Sequence, residues 1–365
     1  MKSFGLWYTH SNIQHINAPL FEIHINFWSE SLETVGHKNI PYLDFGIKIS
    51  NYKSIDKLVF QCPFLIEEKE FEDLSEIIPK GETANIIFNE DCKITSLQSY
   101  KLIDTNSEEF IIIPISNTDI SEMYTMNNED DRTNITINIE NFRDIILNKK
   151  EVKDVEVAYI RFRIKSSNMR NNIFFDSEPI NKSFDSAFSG TRILDFKINS
   201  KRNLSNKSMN DMVKKNAEFP HITKLHLLVM EPASFDVQSF SDEEVTCREL
   251  ESNLWSDYLS DRIDTTKGHV LAYHWKKKMK DNECFTEFSC LVKVGYSRAK
   301  KSTIIAYILM VMALGMASSF ITTEILELTT GKSNFMFALI NVGIIVVFFI
   351  FGIFIGNGIG KHRKQ

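Results

Sequence analysis

The chain has 365 residues, of which 43% are hydrophobic and 25% are charged, and its formal net charge is −6. This length provides for one or two globular domains besides any membrane segment. The charge is unevenly spread, because residues 1–150 contain 13 Lys and Arg against 24 Asp and Glu, a net of −11. Residues 1–150 are acidic enough to repel phosphate backbones, which argues against general nucleic-acid binding in this half of the chain.

The N-terminus and the cysteines indicate a cytosolic environment. The sequence MKSFGLWYTH lacks a basic region followed by an apolar run, so it does not resemble a secretory signal peptide. The five cysteines are scattered and include no C-x-x-C pair. They predict neither a disulfide framework nor a structural zinc site, and we expect reduced, buried thiols.

Residues 1–200 have the pattern of a mainly β domain. Apolar and polar residues alternate over 20–27 and 42–49, which is typical of half-buried antiparallel strands. Several short strands at this spacing predict an antiparallel β-sandwich, with one helix over 141–148. The further strand candidates are 57–62, 84–89, 110–115, 133–139, 155–165 and 191–199.

Residues 201–297 predict an α+β part next to the membrane. The polar stretch 199–207 is typical of a linker or exposed loop, and a short helix is expected over 208–217. Ser241 and Glu244 form a capping-box pattern, which predicts a helix over 242–259. The strand candidates are 221–230, 268–277 and 285–295, and the last of them leads almost directly into the first apolar span.

Two long uncharged apolar stretches, 302–323 and 335–360, predict a C-terminal transmembrane helical hairpin within residues 298–365. They hold 22 and 26 residues, and each is long enough for a hydrocarbon core of about 30 Å at about 1.5 Å of rise per residue. Both outer flanks are basic, so we expect both termini in the cytoplasm and a two-pass topology. The flanking cations are Arg298, Lys300, Lys301, Lys361, Arg363 and Lys364.

Signatures of catalysis are absent from the sequence, which contains no G-x-S-x-G, P-loop, H-E-x-x-H or dinucleotide fingerprint. We therefore predict no enzyme, with no catalytic residue, cofactor or metal site. His221 and His226 lie five residues apart on one strand, as do His269 and His274 on another, so each pair points to opposite faces. An enzyme remains an alternative only if a concave site combines several of these histidines and of the cluster Asp257, Asp261 and Asp264.

Two basic clusters are candidates for contacts with anions. Arg161, Arg163 and Lys165 share one strand face, where two guanidinium groups can clamp a phosphate or carboxylate. The alternative is a solvent-facing strand edge that is kept charged against aggregation. The second cluster predicts contact with anionic lipids at the membrane surface, and it consists of Lys276, Lys277, Lys278 and Lys280.

The apolar spans carry small residues at helical spacing. Gly352, Gly356 and Gly360 repeat every four residues, and Asn341 falls on nearly the same stripe three turns earlier. Ala313 and Ala317 give the first span a matching pair. These residues predict helix packing or a pore, either within one hairpin or between hairpins of a homo-oligomer.

The layout of a cytosolic domain joined to this hairpin resembles the two-transmembrane-helix effectors of bacterial anti-phage defence systems. The resemblance implies a bacterial inner-membrane protein whose cytosolic domain senses a nucleotide or oligonucleotide second messenger, or a signalling partner protein. Sensing then controls oligomerisation of a pore-forming or membrane-disrupting hairpin. The alternative function is a membrane-tethered adaptor or scaffold without channel activity.

Overall fold

A computed structural model describes residues 2–11, 17–32, 40–80, 82–97, 100–116, 122–147, 154–177, 189–241, 243–259, 268–280, 283–297 and 301–330, together with 342–343, 346–347 and 350. The described chain is mainly β, with several short helices and one long apolar helix near the C-terminus. It forms two compact units, Met1–Ser177 with Thr191–Gly295, and Glu178–Gly190 with Tyr296–Gln365.

The strands and α-helices have the following bounds. The strands are β1 (Gly5–His10), β2 (Leu20–Trp28), β3 (Tyr42–Ser50), β4 (Ile55–Cys62), β5 (Phe71–Asp73), β6 (Lys93–Leu97), β7 (Tyr100–Asp104), β8 (Glu109–Ile112), β9 (Tyr124–Glu129), β10 (Arg132–Asn138), β11 (Val157–Lys165), β12 (Phe174–Ser177), β13 (Ser189–Ile198), β14 (Ala217–Glu218), β15 (His221–Pro232), β16 (Asp236–Ser239), β17 (Val245–Glu249), β18 (Val270–Lys278) and β19 (Phe288–Ser297). The helices are α1 (Thr83–Phe88), α2 (Ile139–Leu147), α3 (Asn206–Lys214), α4 (Ser252–Leu259) and α5 (Lys301–Thr330).

The described strands pair in three sheets. The largest has ten strands, of which nine lie in the order β17-β18-β15-β2-β3-β11-β8-β7-β6 and the tenth, β5, pairs with β11. The second has the order β14-β1-β4-β10-β9, and the third has the order β12-β13-β19-β16. Strands from residues 1–200 and from residues 201–297 share the largest sheet, in which β15 lies beside β2.

The centre of the largest sheet follows from the alternating sequence pattern. β2 and β11 both pair with β3 in antiparallel register along their length. The core-facing positions are the alternating apolar residues predicted for 20–27 and 42–49, and all of these are buried: Phe21, Ile23, Ile25, Phe27, Leu43, Phe45, Ile47 and Ile49. However, β15 runs parallel to β2 and β8 runs parallel to β11, so the expectation of purely antiparallel pairing is wrong for these two pairs.

Buried side chains from all three sheets form one hydrophobic core. Its centre is a group of phenylalanines, in which Phe45 lies 4.5 Å from Phe60 and 5.2 Å from Phe4 between ring centroids. Phe4 is in turn 5.4 Å from Phe196 of β13. Buried aromatic rings of this kind contribute large apolar areas, and here they join strands that are distant in sequence.

Two predicted elements adopt a different structure. The segment predicted as a strand at 84–89 is helix α1, which packs against α4 and ends at Asn89 in a left-handed conformation with φ of 54°. The helix predicted over 242–259 begins only at Ser252, because Val245–Glu249 pairs with β18 as an edge strand. Tertiary pairing overrides the local capping pattern of Ser241 and Glu244 in this segment.

The polar segment 199–207 is partly buried rather than an exposed linker. Asn199 is buried with φ of 56°, and its side-chain oxygen accepts a hydrogen bond from the Leu6 backbone at 2.7 Å. Ser205 then caps α3 by accepting from the Ser208 backbone N–H. The short helices predicted at 141–148 and 208–217 are confirmed as α2 and α3, with shifted ends.

The second unit contains the long helix α5. Its segment Ile304–Thr323 is 20 residues long and apolar enough to cross a membrane by length and composition. Ala313 is buried, and Ala317 is half-buried. Of the second predicted span, only 342–343, 346–347 and 350 are described, and they are helical. Asn341, Gly352, Gly356 and Gly360 lie outside the described residues.

Candidate ligand-binding cavity

Polar side chains from neighbouring strands meet on the face of the largest sheet that lies opposite the core. The parallel register of β2 and β15 sets His24 opposite His226 and Glu22 beside Lys224. On the other side of β15, β18 contributes His274, which lies opposite Leu228 of β15 in the antiparallel register. Because successive side chains of a strand point to opposite faces, these polar residues project together.

These side chains line a cavity of about 710 Å³. The sheet forms one wall, to which Phe110 of β8 and residues 246–248 of β17 contribute, and the others come from residues 86–90, from residues 105–108 and from Trp255 of α4. The volume lies in the range of about 300–1,000 Å³ that is typical of small-molecule sites. α1 and α4, which pack against each other, therefore belong to the wall that faces the sheet.

Glu22 lies at the centre of a histidine cluster. Its Oε1 atom is 2.9 Å from His24 Nε2, 3.8 Å from His226 Nε2 and 2.7 Å from Lys224 Nζ. The Nδ1 atom of His226 lies 2.7 Å from His274 Nε2, and the two rings are stacked with centroids 4.9 Å apart. One carboxylate thus contacts two imidazoles, one of which is positioned by a third.

The surroundings keep these histidines neutral. Burial and nearby positive charges lower the pKa of His226 to about 3 and that of His274 to about 4. Burial likewise lowers the pKa of His24. Burial alone favours protonation of Glu22, but hydrogen bonds from His24 and Lys224, together with the charge of Lys224, hold the pKa of this carboxyl well below its usual range. At neutral pH the cluster therefore presents neutral imidazoles around a carboxylate.

The cavity has an excess of positive charge. Five cations line it against three carboxylates. The Lys48 ammonium pairs with Glu108 and that of Lys224 pairs with Glu22, whereas neither Arg248 nor Lys276 has an ion-pair partner among the described residues. The lining cations are Lys48, Arg161, Lys224, Arg248 and Lys276, and the carboxylates are Glu22, Glu90 and Glu108.

A network of buried side-chain hydrogen bonds holds Arg161 in position. Its Nη1 atom donates to the Tyr159 hydroxyl at 2.7 Å, and its Nε atom donates to the Tyr258 hydroxyl at 2.8 Å. Tyr258 in turn donates to Asp44 at 2.7 Å. Gly46 makes room for this arrangement, since a Cβ at that position would collide with the Tyr159 hydroxyl. The guanidinium group of Arg161 is thereby connected to helix α4, which carries Tyr258.

The predicted stripe of Arg161, Arg163 and Lys165 does not act as one clamp. Arg161 is 1% exposed and Arg163 is 0% exposed, so the alternative of a solvent-facing strand edge is wrong. The reason is that β11 lies inside the sheet, between β3 on one side and β5 with β8 on the other. Arg163 is engaged by Asp44 and Lys165 by Glu72, so only Arg161 lines the cavity.

The predicted lysine cluster divides between two environments. Lys276 lines the cavity, whereas Lys277 lies 3.3 Å from Glu243 and 5.0 Å from the ring centroid of Phe285. Lys278 and Lys280 are exposed. Contact of these four residues with a membrane surface stays a prediction.

The histidine pairs divide as their spacing predicts. The Nδ1 atom of His221 lies 3.1 Å from Cys284 Sγ, and the Nδ1 atom of His269 lies 2.5 Å from Glu249 Oε1. By contrast, His226 and His274 line the cavity. The sequence reasoning missed Glu22 and His24 as their partners. The alternation over 20–27 marks both as a polar face, but the pairing of β2 with β15 across about 200 residues has no local signal. Asp261 and Asp264 lie outside the described residues, and the side chain of Asp257 is not described.

Comparisons with known proteins provide no family for this chain. No family model matches it, and no curated protein matches it. Among solved structures it is similar to the Fcho1 Mu homology domain of Danio rerio with bound Eps15 peptide, at 10% sequence identity, with 77% of this chain and 78% of that chain covered and a TM-score of 0.15. At this TM-score, the similarity carries no argument about fold or function.

Proposed function

We propose that the protein is a membrane-anchored sensor, in which an anionic small molecule binds the cavity and thereby controls the assembly of the C-terminal helices in the membrane. The observation that carries this proposal is the excess of positive charge in the cavity of a chain whose net charge is −6. A concave site with low-dielectric walls focuses the field of its charges and raises the local concentration of oppositely charged ligands. An anion is therefore the ligand that this site attracts.

The lining further favours a ligand that combines phosphate groups with a planar ring. Arg161, Arg248 and Lys276 provide donors that are suited to phosphate oxygens. Phe88 is half-buried at the wall, with its ring centroid 4.9 Å from that of Phe110 and 5.0 Å from that of Tyr159. An aromatic ring next to cations suits a nucleotide, in agreement with the nucleotide messenger that the resemblance to anti-phage effectors implies.

Coupling to the membrane rests on the C-terminal region. In this proposal α5 and the second apolar stretch, 335–360, form a two-pass hairpin in the bacterial inner membrane, with both termini in the cytoplasm and with Asn341, Gly352, Gly356 and Gly360 at helix contacts. Only residues 298–300 separate β19 from α5 along the chain. A change at the sensing unit is then transmitted through this short connection, and hairpins assemble into a pore or a membrane-disrupting oligomer.

Cells that express the protein together with its genomic neighbours test this function with a membrane-potential dye. We expect the wild type to depolarise the membrane under the control of the ligand. The double variant Lys276→Ala/Arg248→Ala should either depolarise constitutively or not at all, because it lacks the two cavity cations that have no partner among the described residues. The control is Lys57→Ala, an exposed lysine of β4 that does not line the cavity, and it should behave as the wild type.

Two results would contradict the proposal. A wild-type protein that never depolarises cells, alone or with its neighbours, would favour the membrane-tethered adaptor instead. A double variant that responds as the wild type does would separate the cavity from control of the membrane.

A further inference from the structure

We infer that Glu22, His24 and His226 form a binding site for a first-row transition-metal ion such as Zn²⁺. Two imidazole nitrogens with one carboxylate are a ligand set of open zinc sites and also of non-haem iron sites. Each of the three residues offers one ligand atom, and these atoms all lie within 4.8 Å of one another. This inference goes beyond the proposed function, because metal binding at these side chains requires no anionic ligand.

The distances between the three donor atoms are close to those of a metal site, so only small side-chain movements are needed to bind an ion. Metal–ligand bonds of about 2.0–2.2 Å place the donor atoms of a tetrahedral site about 3.3–3.6 Å apart. The Glu22 Oε1 atom lies 2.9 Å from His24 Nε2 and 3.8 Å from His226 Nε2, on either side of that value. The strand backbones therefore already hold the three side chains around a common centre.

The outer nitrogens of both rings are held by neighbouring groups, which is the second feature of a built metal site. His24 Nδ1 lies 3.4 Å from the Tyr159 hydroxyl, and His226 Nδ1 lies 2.7 Å from His274 Nε2. Histidines that bind metals usually donate the other ring N–H to such a partner, which fixes the tautomer and the ring orientation. In the metal-bound state both rings donate Nδ1–H outward, so that each Nε2 carries the lone pair that binds the ion beside Glu22.

Lys224 is the group that competes with a metal for the carboxylate. Its Nζ atom lies 2.7 Å from Glu22 Oε1, where it neutralises the charge that a metal ion would use. The Lys224 side chain is 31% exposed, so its ammonium group can move into water when a dication binds. Three protein ligands leave one tetrahedral position open, and because all three residues line the cavity, that position faces the cavity.

The rival explanation is a hydrogen-bonded cluster in which Glu22 accepts from His24 and Lys224 and binds no metal. Full-length protein in detergent, stripped with EDTA and then freed of the chelator, distinguishes the two explanations. It is titrated with Zn²⁺ in a calorimeter and with Co²⁺ as a visible-absorption probe, without any nucleotide. We expect one ion per chain and a Co²⁺ spectrum of nitrogen and oxygen ligation.

Four variants locate the site. His24→Ala and Glu22→Gln should weaken Zn²⁺ binding by at least about tenfold, because each removes a ligand. His274→Ala should weaken it by about 10–100-fold, because it removes the partner that orients His226. His269→Ala is the matched control, since this histidine belongs to the same part of the chain as His274 but lies outside the cavity and is exposed.

Absence of stoichiometric Zn²⁺ and Co²⁺ binding by the wild type would overturn the inference, whether or not any variant folds. Equal affinity in the wild type, His24→Ala and Glu22→Gln would overturn it too, because the ion would then bind elsewhere. The metal titration contains no nucleotide, and nucleotide binding can be measured in EDTA, so failure of this inference and failure of the proposed function are separate outcomes.

Discussion

Replacement of Asp44 by Asn is expected to lower the free energy of unfolding by about 3–5 kcal/mol at pH 7, because it leaves the buried Arg163 without its counter-charge. Both side chains are fully buried, and Arg163 donates to the two Asp44 oxygens at 2.6 and 3.0 Å. Asp44 also accepts from Trp28 and Tyr258. Asn keeps the shape of the side chain but not its charge or its full capacity as an acceptor.

Urea unfolding of the full-length protein in detergent measures this loss through tryptophan fluorescence. All four tryptophans lie in the first compact unit, so the signal reports on the sheets. The control is Glu67→Gln, which removes an exposed pair with Lys69 and should cost no more than about 1 kcal/mol. A loss for Asp44→Asn that is no larger than that of the control would show that the network does not stabilise the fold.

The same carboxyl should contribute to acid sensitivity. Burial raises the pKa of Asp44, but the Arg163 guanidinium outweighs burial and holds this pKa below its ordinary value of 3.8. A carboxyl whose pKa is depressed in the folded state stabilises the fold fully above pH 3.8, and this stabilisation is lost as the pH falls through the folded-state value. Comparison of the wild type with Asp44→Asn at pH 7 therefore measures the whole contribution of the ionised Asp44 carboxyl to stability.

Replacement of Glu231 by Gln is expected to raise the free energy of unfolding by about 3 kcal/mol at pH 8 and to leave it almost unchanged at pH 4. Glu231 is 1% exposed in β15, and burial raises the pKa of its carboxyl from 4.5 to about 7, while the nearby charge of Arg192 opposes this shift only in part. Gln resembles the protonated carboxyl and does not ionise in the buried site.

The direction in which stability changes with pH follows from the number of protons that each state binds. Between pH 4.5 and pH 7 the folded state holds a proton on Glu231 that the unfolded state has already released. Stability of the wild type therefore falls as the pH rises through this window, by about 1.36 kcal/mol for each pH unit.

Unfolding of the wild type and of Glu231→Gln at several pH values checks this dependence, with the exposed Glu109→Gln as the control for loss of a negative charge. A stability difference that does not vary with pH would contradict it.

Local sequence patterns predicted the strands that have one buried and one polar face. The alternation over 20–27 and 42–49 reappears as β2 and β3 because burial of Ile23, Ile25, Phe45 and Ile47 fixes which face turns inward. Local patterns do not predict the secondary structure of segments whose conformation depends on the elements that pack or pair with them. Residues 84–89 become α1 next to α4, and Val245–Glu249 becomes a strand on β18, because tertiary packing outweighs weak local propensities.

The cavity was only partly predictable. A polar face with Glu22 and His24 is visible in the sequence, as are His226 and His274, but their meeting depends on the order β18-β15-β2, which no local signal encodes. Arg161 was predicted as an anion contact from its residue type, and it lines the cavity. Its burial was missed, because the sequence does not show that β11 has neighbours on both sides or that Tyr159 and Tyr258 satisfy its donors.

Titration calorimetry with phosphate-bearing nucleotides tests the central claim, that the cavity is an anion-binding site, most directly. Full-length protein in EDTA is titrated with inorganic phosphate, ATP, cyclic mononucleotides and cyclic dinucleotides. We predict that at least one nucleotide binds one site per chain, more tightly than phosphate, and that Lys276→Ala/Arg248→Ala weakens this binding at least about tenfold while Lys57→Ala does not. If no nucleotide binds, or if the double variant binds as tightly as the wild type, the cavity is not the sensing site.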